Sequence, residues 1–188
     1  MNARKLAFLG LLIAAAVALH ALESLVPAPL PWVRLGLANL LTLVAILTCG
    51  WKEGFVVTIM RVVISSLLIG GFLGPGFLLS LGGGLAGTTA MCLLAPGAWR
   101  LYSPIAVSVA GAFAHGTAQV ALLGLVLVQT REVVFFLPWV LVPALLSGMA
   151  TGILANIILV RRRDFFQTFG KMPHLGGGSR RRLPIDLH

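Results

Sequence analysis

Residues Pro31–Thr42, PWVRLGLANLLT, set an arginine and an asparagine at the mouth of an apolar run that continues with little polar relief to Leu47. Gly50–Lys52 is the first natural exit. A run of this kind implies a bilayer, where unpaired polar atoms are costly and mark function. Two readings of Arg34, Gly36 and Asn39 stand side by side. They line a binding site, or Arg34 snorkels to the headgroups while Asn39 bonds a neighbouring helix.

The rest of the chain repeats the pattern. Of 188 residues, 59% are hydrophobic and 10% charged, with a mean hydropathy of +1.01, too apolar for a water-facing surface. The expected fold class is all-α, a polytopic membrane protein of six transmembrane helices. Apolar spans are expected at Leu6–Val26, Val33–Gly50, Gly54–Phe72, Phe77–Ala95, Pro104–Val128 and Val133–Val160. The second would reach about 27 Å at the helical rise. Residues 1–163 then form the transmembrane domain, and 164–188 a basic, disordered cytoplasmic tail.

The net charge of +9 comes mainly from arginines at span ends and after Val160. That is cytoplasmic anchoring beside anionic lipid, not a nucleic-acid groove. Six spans put both termini on one side. The charge bias assigns that side to the cytoplasm of a plasma (inner) membrane, leaving Arg34 and Arg131 outside and Arg61 in the membrane.

Several residues within the spans invite a function. Gly10, Ala14 and Ala18 recur every four positions, a stripe for close helix approach inside the protein or on a separate subunit. His20 and Glu23, three apart at the far end of that span, can touch each other and line an entrance, though a simple interfacial pair is the favoured reading. Arg61, with Ser65 one turn on as a candidate partner and no carboxylate in sight, has an internal structural or site role, or snorkels back toward the cytoplasm. Gly82, Gly83, Gly84 and Gly87 leave one face nearly bare, for helix packing or a flat ligand. Ser108, His115 and Gln119 share a stripe, and an imidazole beside an amide can donate and accept hydrogen bonds. An interhelical clamp is the equal alternative. Ala144, Gly148, Gly152 and Asn156 form another small-residue stripe.

Enzyme chemistry fails by inventory. Prenyl-chain synthesis needs aspartate-rich pairs to hold magnesium, and Glu23, Glu53, Glu132, Asp164 and Asp186 are scattered. The histidines and the two cysteines show no metal-ligand spacing, and no Walker lysine follows Gly70–Gly76. No cofactor and no metal are expected, and ATP-driven uptake would need other polypeptides.

The segment Arg34-Leu-Gly-Leu-Ala-Asn39, with Arg61, the glycine-rich turn before Phe77 and the His115/Gln119 pair, resembles the Gx transporter family. Its members are also labelled heptaprenyl diphosphate synthase component I, and it is similar to the substrate-binding S components of energy-coupling factor (ECF) transporters. The resemblance covers about Leu6–Val160. Arg34 stands where relatives are expected to carry lysine, which keeps charge but changes hydrogen-bond geometry.

The resemblance implies a subunit that captures a vitamin-like or precursor molecule and works with a transmembrane coupling subunit and cytoplasmic ATPases. Arg34, Asn39, Arg61, His115 and Gln119 would bind the substrate. Gly10, Ala14 and Ala18 would dock the partner, and Val26–Arg34 would act as a lid. An anionic or strongly hydrogen-bonding ligand suits the arginines. The alternative is a non-catalytic membrane subunit associated with polyprenyl diphosphate synthesis. A proton-coupled carrier using His20, Glu23 and His115 is the weakest option, for want of a carboxylate beside His115.

Overall fold

The computed structural model describes residues 3–25, 37–98 and 101–170. Arg34 and the expected lid lie outside the described residues. The described residues form six α-helices: α1 (Ala3–Leu25), α2 (Leu37–Cys49), α3 (Trp51–Ile69), α4 (Pro75–Leu94), α5 (Pro104–Leu122) and α6 (Leu137–Gly170). Among the described residues there is no β-strand, only an isolated bridge between Ala98 and Tyr102.

Among the described residues four stretches are long and apolar enough to cross a membrane: Lys5–Glu23, Pro75–Gly97, Pro104–Leu127 and Glu132–Arg161. α2 is apolar but has only 13 residues, about 20 Å at the helical rise. α3 has the length, 19 residues, but carries Lys52, Glu53 and Arg61.

Local chemistry sets the helix ends. α3 stops at Gly70, whose φ of 76° is left-handed. There the Gly70 and Gly71 amides donate back to the Leu67 and Ser66 carbonyls at 3.3 and 2.9 Å, closing the last turn. α4 begins with Pro75 at its first position, where the missing amide costs nothing. α5 has the same entry, Pro104, behind an N-capping Ser103 whose hydroxyl accepts from the Ala106 amide at 3.3 Å. At its far end α5 widens into a π-helical turn, Leu123–Leu127, and Val128 N–H reaches the Leu123 carbonyl at 2.9 Å. A 3-10 segment, Arg131–Phe136, leads into α6, which runs on through Arg161–Arg163.

By internal contacts the chain divides after Asn156 into Met1–Asn156 and Ile157–His188. Within the first unit α1, α2 and α3 pack mutually, α3 lies against α4, and α4 meets α5 most extensively. α6 closes on α5 through two glycines. A Cβ at Gly148 would stand 3.0 Å from Ala112 Cβ, and one at Gly152 would stand 2.6 Å from Ile105 Cα. The glycine stripe read on α6 is therefore a packing seam.

Hydroxyls stitch the interior. Thr42, Thr58 and Thr88 form a buried chain across α2, α3 and α4 at 3.2 and 2.8 Å. Ser108 on α5 meets Thr151 on α6 at 2.8 Å. At one end Lys5 of α1 donates to the Glu53 carboxylate of α3 and to the Cys49 carbonyl. That hydrogen bond holds the Glu53 carboxyl below its ordinary range. It also puts the first turns of α1 and α3 level with each other.

Candidate functional site

The glycines of α4 decide what the interior can hold. A Cβ at Gly83 would stand 2.8 Å from Gln119 Cγ and 3.1 Å from the His115 ring, and one at Gly84 would stand 3.6 Å from Arg61 Nη2. At Gly87 the obstacle is backbone, the Gly111 carbonyl at 2.8 Å. The bare face thus serves both uses at once. Gly87 seats α5 at close range and Gly84 seats the Thr58 methyl of α3, 3.0 Å from its Cβ position, while Gly83 leaves room for an imidazole and an amide.

These groups surround one hollow, to which all six helices contribute. His20 and Glu23 come from α1, Asn39 from α2, Arg61 from α3 and Ser80 from α4. α5 supplies His115 and Gln119 beside Ala112 and Gly116, and α6 supplies Val140, Ala144 and Ser147. His20, Glu23, Arg61 and Gln119 are each less than 9% exposed, in an interior otherwise built of hydrocarbon and a few hydroxyls. Burying an ionic group there is expensive unless neighbouring charges and hydrogen bonds compensate, so the cluster has a strong claim to function.

Four of the five sequence-predicted binding residues, Asn39, Arg61, His115 and Gln119, line this hollow. The fifth, Arg34, is outside the described residues. Ser108, read on the same stripe as His115 and Gln119, is turned instead to Thr151 and acts as an interhelical clamp. Gly10, Ala14 and Ala18 are exposed on α1, and nothing lies within 4 Å of a Cβ placed at Gly10.

Two readings of the sequence need correcting. His20 and Glu23 do not form a merely interfacial pair, because both are buried and face the hollow. Glu23 also lines the cavity that Arg61 lines, where the sequence showed no carboxylate. Packing of α1 on α3 brings it to the cavity, and the spacing of charges along the chain carries no trace of that. Ser65 is not the arginine's partner, since its buried hydroxyl makes no hydrogen bond within the protein. The one signal that could have found Glu23 is its position, a lone acid three residues after a histidine at the end of an apolar run.

The hollow measures about 40 Å³, room for two or three waters at roughly 10–15 Å³ each. Ligand pockets run to about 300–1,000 Å³, so admitting an organic solute requires the helices to part. A second, apolar cleft of about 630 Å³ lies beside the π-helical turn, lined by Val120, Leu125, Val133 and Val134 with Gln129 and Thr130. Val120, Val133 and Val140 pack together between the two cavities. Although His20, Glu23 and His115 share a cavity, among the described residues no three such groups stand close enough to hold a metal ion.

Helices of membrane-spanning length around a buried polar hollow define a helical protein of membrane character. The chain belongs to the heptaprenyl diphosphate synthase component I family, whose model matches residues 12–158. The matched range takes in every lining residue of the hollow and the Ala14/Ala18 stripe. The family name describes one component, which implies partner subunits. No curated protein and no solved structure matches the chain.

Proposed function

We propose that the chain is the solute-binding subunit of an ECF-type uptake transporter, taking up a vitamin-like or precursor molecule without catalysing a reaction. One observation carries this reading: the buried ionisable side chains His20, Glu23 and Arg61 and the buried amide Gln119 all line a single hollow to which six helices contribute. Asn39, His115 and Gln119 donate and accept, Arg61 and Glu23 supply charge, and no residue set for bond cleavage stands among them.

In this reading α2 and α3 also cross the bilayer, giving six spans with both termini in the cytoplasm. The Lys5–Glu53 bridge supports that arrangement, since it puts the starts of α1 and α3 on one side together with Lys52. His20, Glu23 and Asn39 then lie toward the outside, where the solute enters. The exposed Gly10, Ala14 and Ala18 stripe is the surface for a transmembrane coupling subunit driven by cytoplasmic ATPases.

The test separates binding from coupling. Ala14→Trp adds bulk on an exposed face, so the purified variant is expected to bind radiolabelled solute as the parent does, while uptake by intact cells is lost. Vitamins and isoprenoid or quinone precursors form the panel. No binding at micromolar concentrations across it refutes solute capture. Unchanged uptake in Ala14→Trp refutes docking through this stripe, and copurification with a soluble prenyl diphosphate synthase alone would replace the transport reading.

A further inference from the structure

The apolar cleft beside the π-helical turn lies apart from the polar hollow, and its shape follows from the side chains around it. On one wall Thr117, Ala121 and Gly124 are small and succeed one another within two turns. Val133, Val134 and Leu137 line the other. The floor is already shut, since a Cβ at Gly124 would meet Val133 Cβ and the Thr130 carbonyl at 3.4 Å, and Val120, Val133 and Val140 pack together. Contact at the floor keeps the two walls from moving together to close the space above it.

The mouth opens on the surface that a bilayer covers. Thr117 and Ala121 are exposed, as are Leu125 and Val134 of the lining, at 79% and 62%. Val126, Phe135 and Trp139 continue the same apolar exposure. Both walls belong to stretches of membrane-spanning length, Pro104–Leu127 and Glu132–Arg161. From Thr117 to Leu125 the cleft runs about 12 Å at the helical rise. That is close to the roughly 15 Å that one leaflet contributes to a hydrocarbon core of about 30 Å. Gln129 and Thr130, in the turn between the two stretches, give it a polar end at the level where a lipid's ester and headgroup lie.

We infer that this cleft seats one acyl chain of a membrane lipid, lying along α5 with its polar end at Gln129 and Thr130. Leaving the bulk bilayer for the cleft gains the chain no hydrophobic energy, because lipid tails are as apolar as the walls. Dispersion contact holds it there, since a gap of about 630 Å³ that no side chain fills leaves its lining without partner atoms. The volume falls within the roughly 300–1,000 Å³ of sites that enclose organic molecules. The inference goes beyond solute capture and stands whether or not the hollow binds a solute.

The test uses the full-length protein in nanodiscs of phosphatidylcholine, a fraction of which carries a diazirine on one acyl chain. After illumination and digestion, the adducts are mapped by mass spectrometry. The expected result is labelling of residues 117–137 at least fivefold above that of Leu67, Leu68 and Ile69, which are exposed on α3. Ala121→Phe fills the cleft and is expected to cut the first signal at least threefold while leaving the second unchanged. Thr117→Phe, one turn away, repeats the block should Ala121→Phe not fold.

Even labelling of the two surfaces, the mark of passing boundary lipid, overturns the inference. So does labelling that avoids the cleft, which assigns it to another part of the chain or to a partner subunit. A parent-like pattern in a well-folded blocked variant overturns it as well.

Discussion

Gly83→Ala offers a sharp probe of the hollow, because its neighbours are the ends of functional side chains and not backbone. The new Cβ would stand 2.8 Å from Gln119 Cγ and 3.1 Å from His115 Cε1 and Nε2, where ordinary contact starts at 3.4 Å. Relief therefore means moving the amide stem by about 0.6 Å and tilting the ring by less. Such overpacking costs about 1–3 kcal/mol, and alanine returns about 1 kcal/mol of helix propensity over glycine. The fold should lose no more than about 2 kcal/mol. Binding should suffer more selectively. Two directed hydrogen bonds would be misaligned, and one lost bond worth about 1.4 kcal/mol is already a factor of ten in affinity. Gly87→Ala is the comparison, since its Cβ meets the Gly111 carbonyl at 2.8 Å and His115 Cβ at 3.2 Å and must separate α4 from α5. Solute dissociation constants and thermal midpoints in nanodiscs, measured on both variants, separate the effects. Gly83→Ala should weaken binding at least tenfold with a small change in midpoint, and Gly87→Ala should lower the midpoint more. Parent-like binding by Gly83→Ala would refute the claim that this glycine leaves room for His115 and Gln119 to hold the solute.

The bridge between α1 and α3 predicts a pH dependence. Glu53 is depressed below its ordinary 4.5 by the Lys5 hydrogen bond, so its contribution is complete above that value and is lost as pH falls through the lower folded one. Lys5→Met should flatten the acid limb of a melting profile taken below pH 4.5, and an unchanged limb would show that the pair does not form. Ser108→Ala should leave solute binding untouched and cost about 0.6 kcal/mol, the usual scale for a hydrogen bond between membrane helices. A double-mutant cycle with Thr151→Ala should recover that figure as coupling, and a cycle without coupling would break the assignment of Ser108 as a clamp.

Much of the fold was legible because a bilayer makes strong demands on a sequence. Long apolar runs, ends marked by Arg4, Lys5 and Arg161–Arg163, and Pro75 or Pro104 at helix starts report on solvent and local backbone, which neighbouring residues specify. His115 and Gln119 could be paired because one helical turn joins them. Asn39 and Arg61 stood out because polar groups inside hydrocarbon are costly enough to need a reason. Those inferences rest on energies that a single segment carries by itself.

Relations between segments were decided only by the tertiary structure. Whether the bare face of α4 meets a helix or a polar side chain differs between Gly83 and Gly87, four residues apart on one helix. It depends on where α5 places Gly111 and His115. Ser108 left its expected companions because α6 offered Thr151 at 2.8 Å. Glu23 entered the site from α1, since packing of α1 on α3 buried it facing the cavity that holds Arg61. The chain by itself determined which residues a membrane would not tolerate alone. Only the packing of the helices decided which of them would share a cavity, because the energy of an ionic pair or polar cluster depends on distances in space that sequence separation does not set.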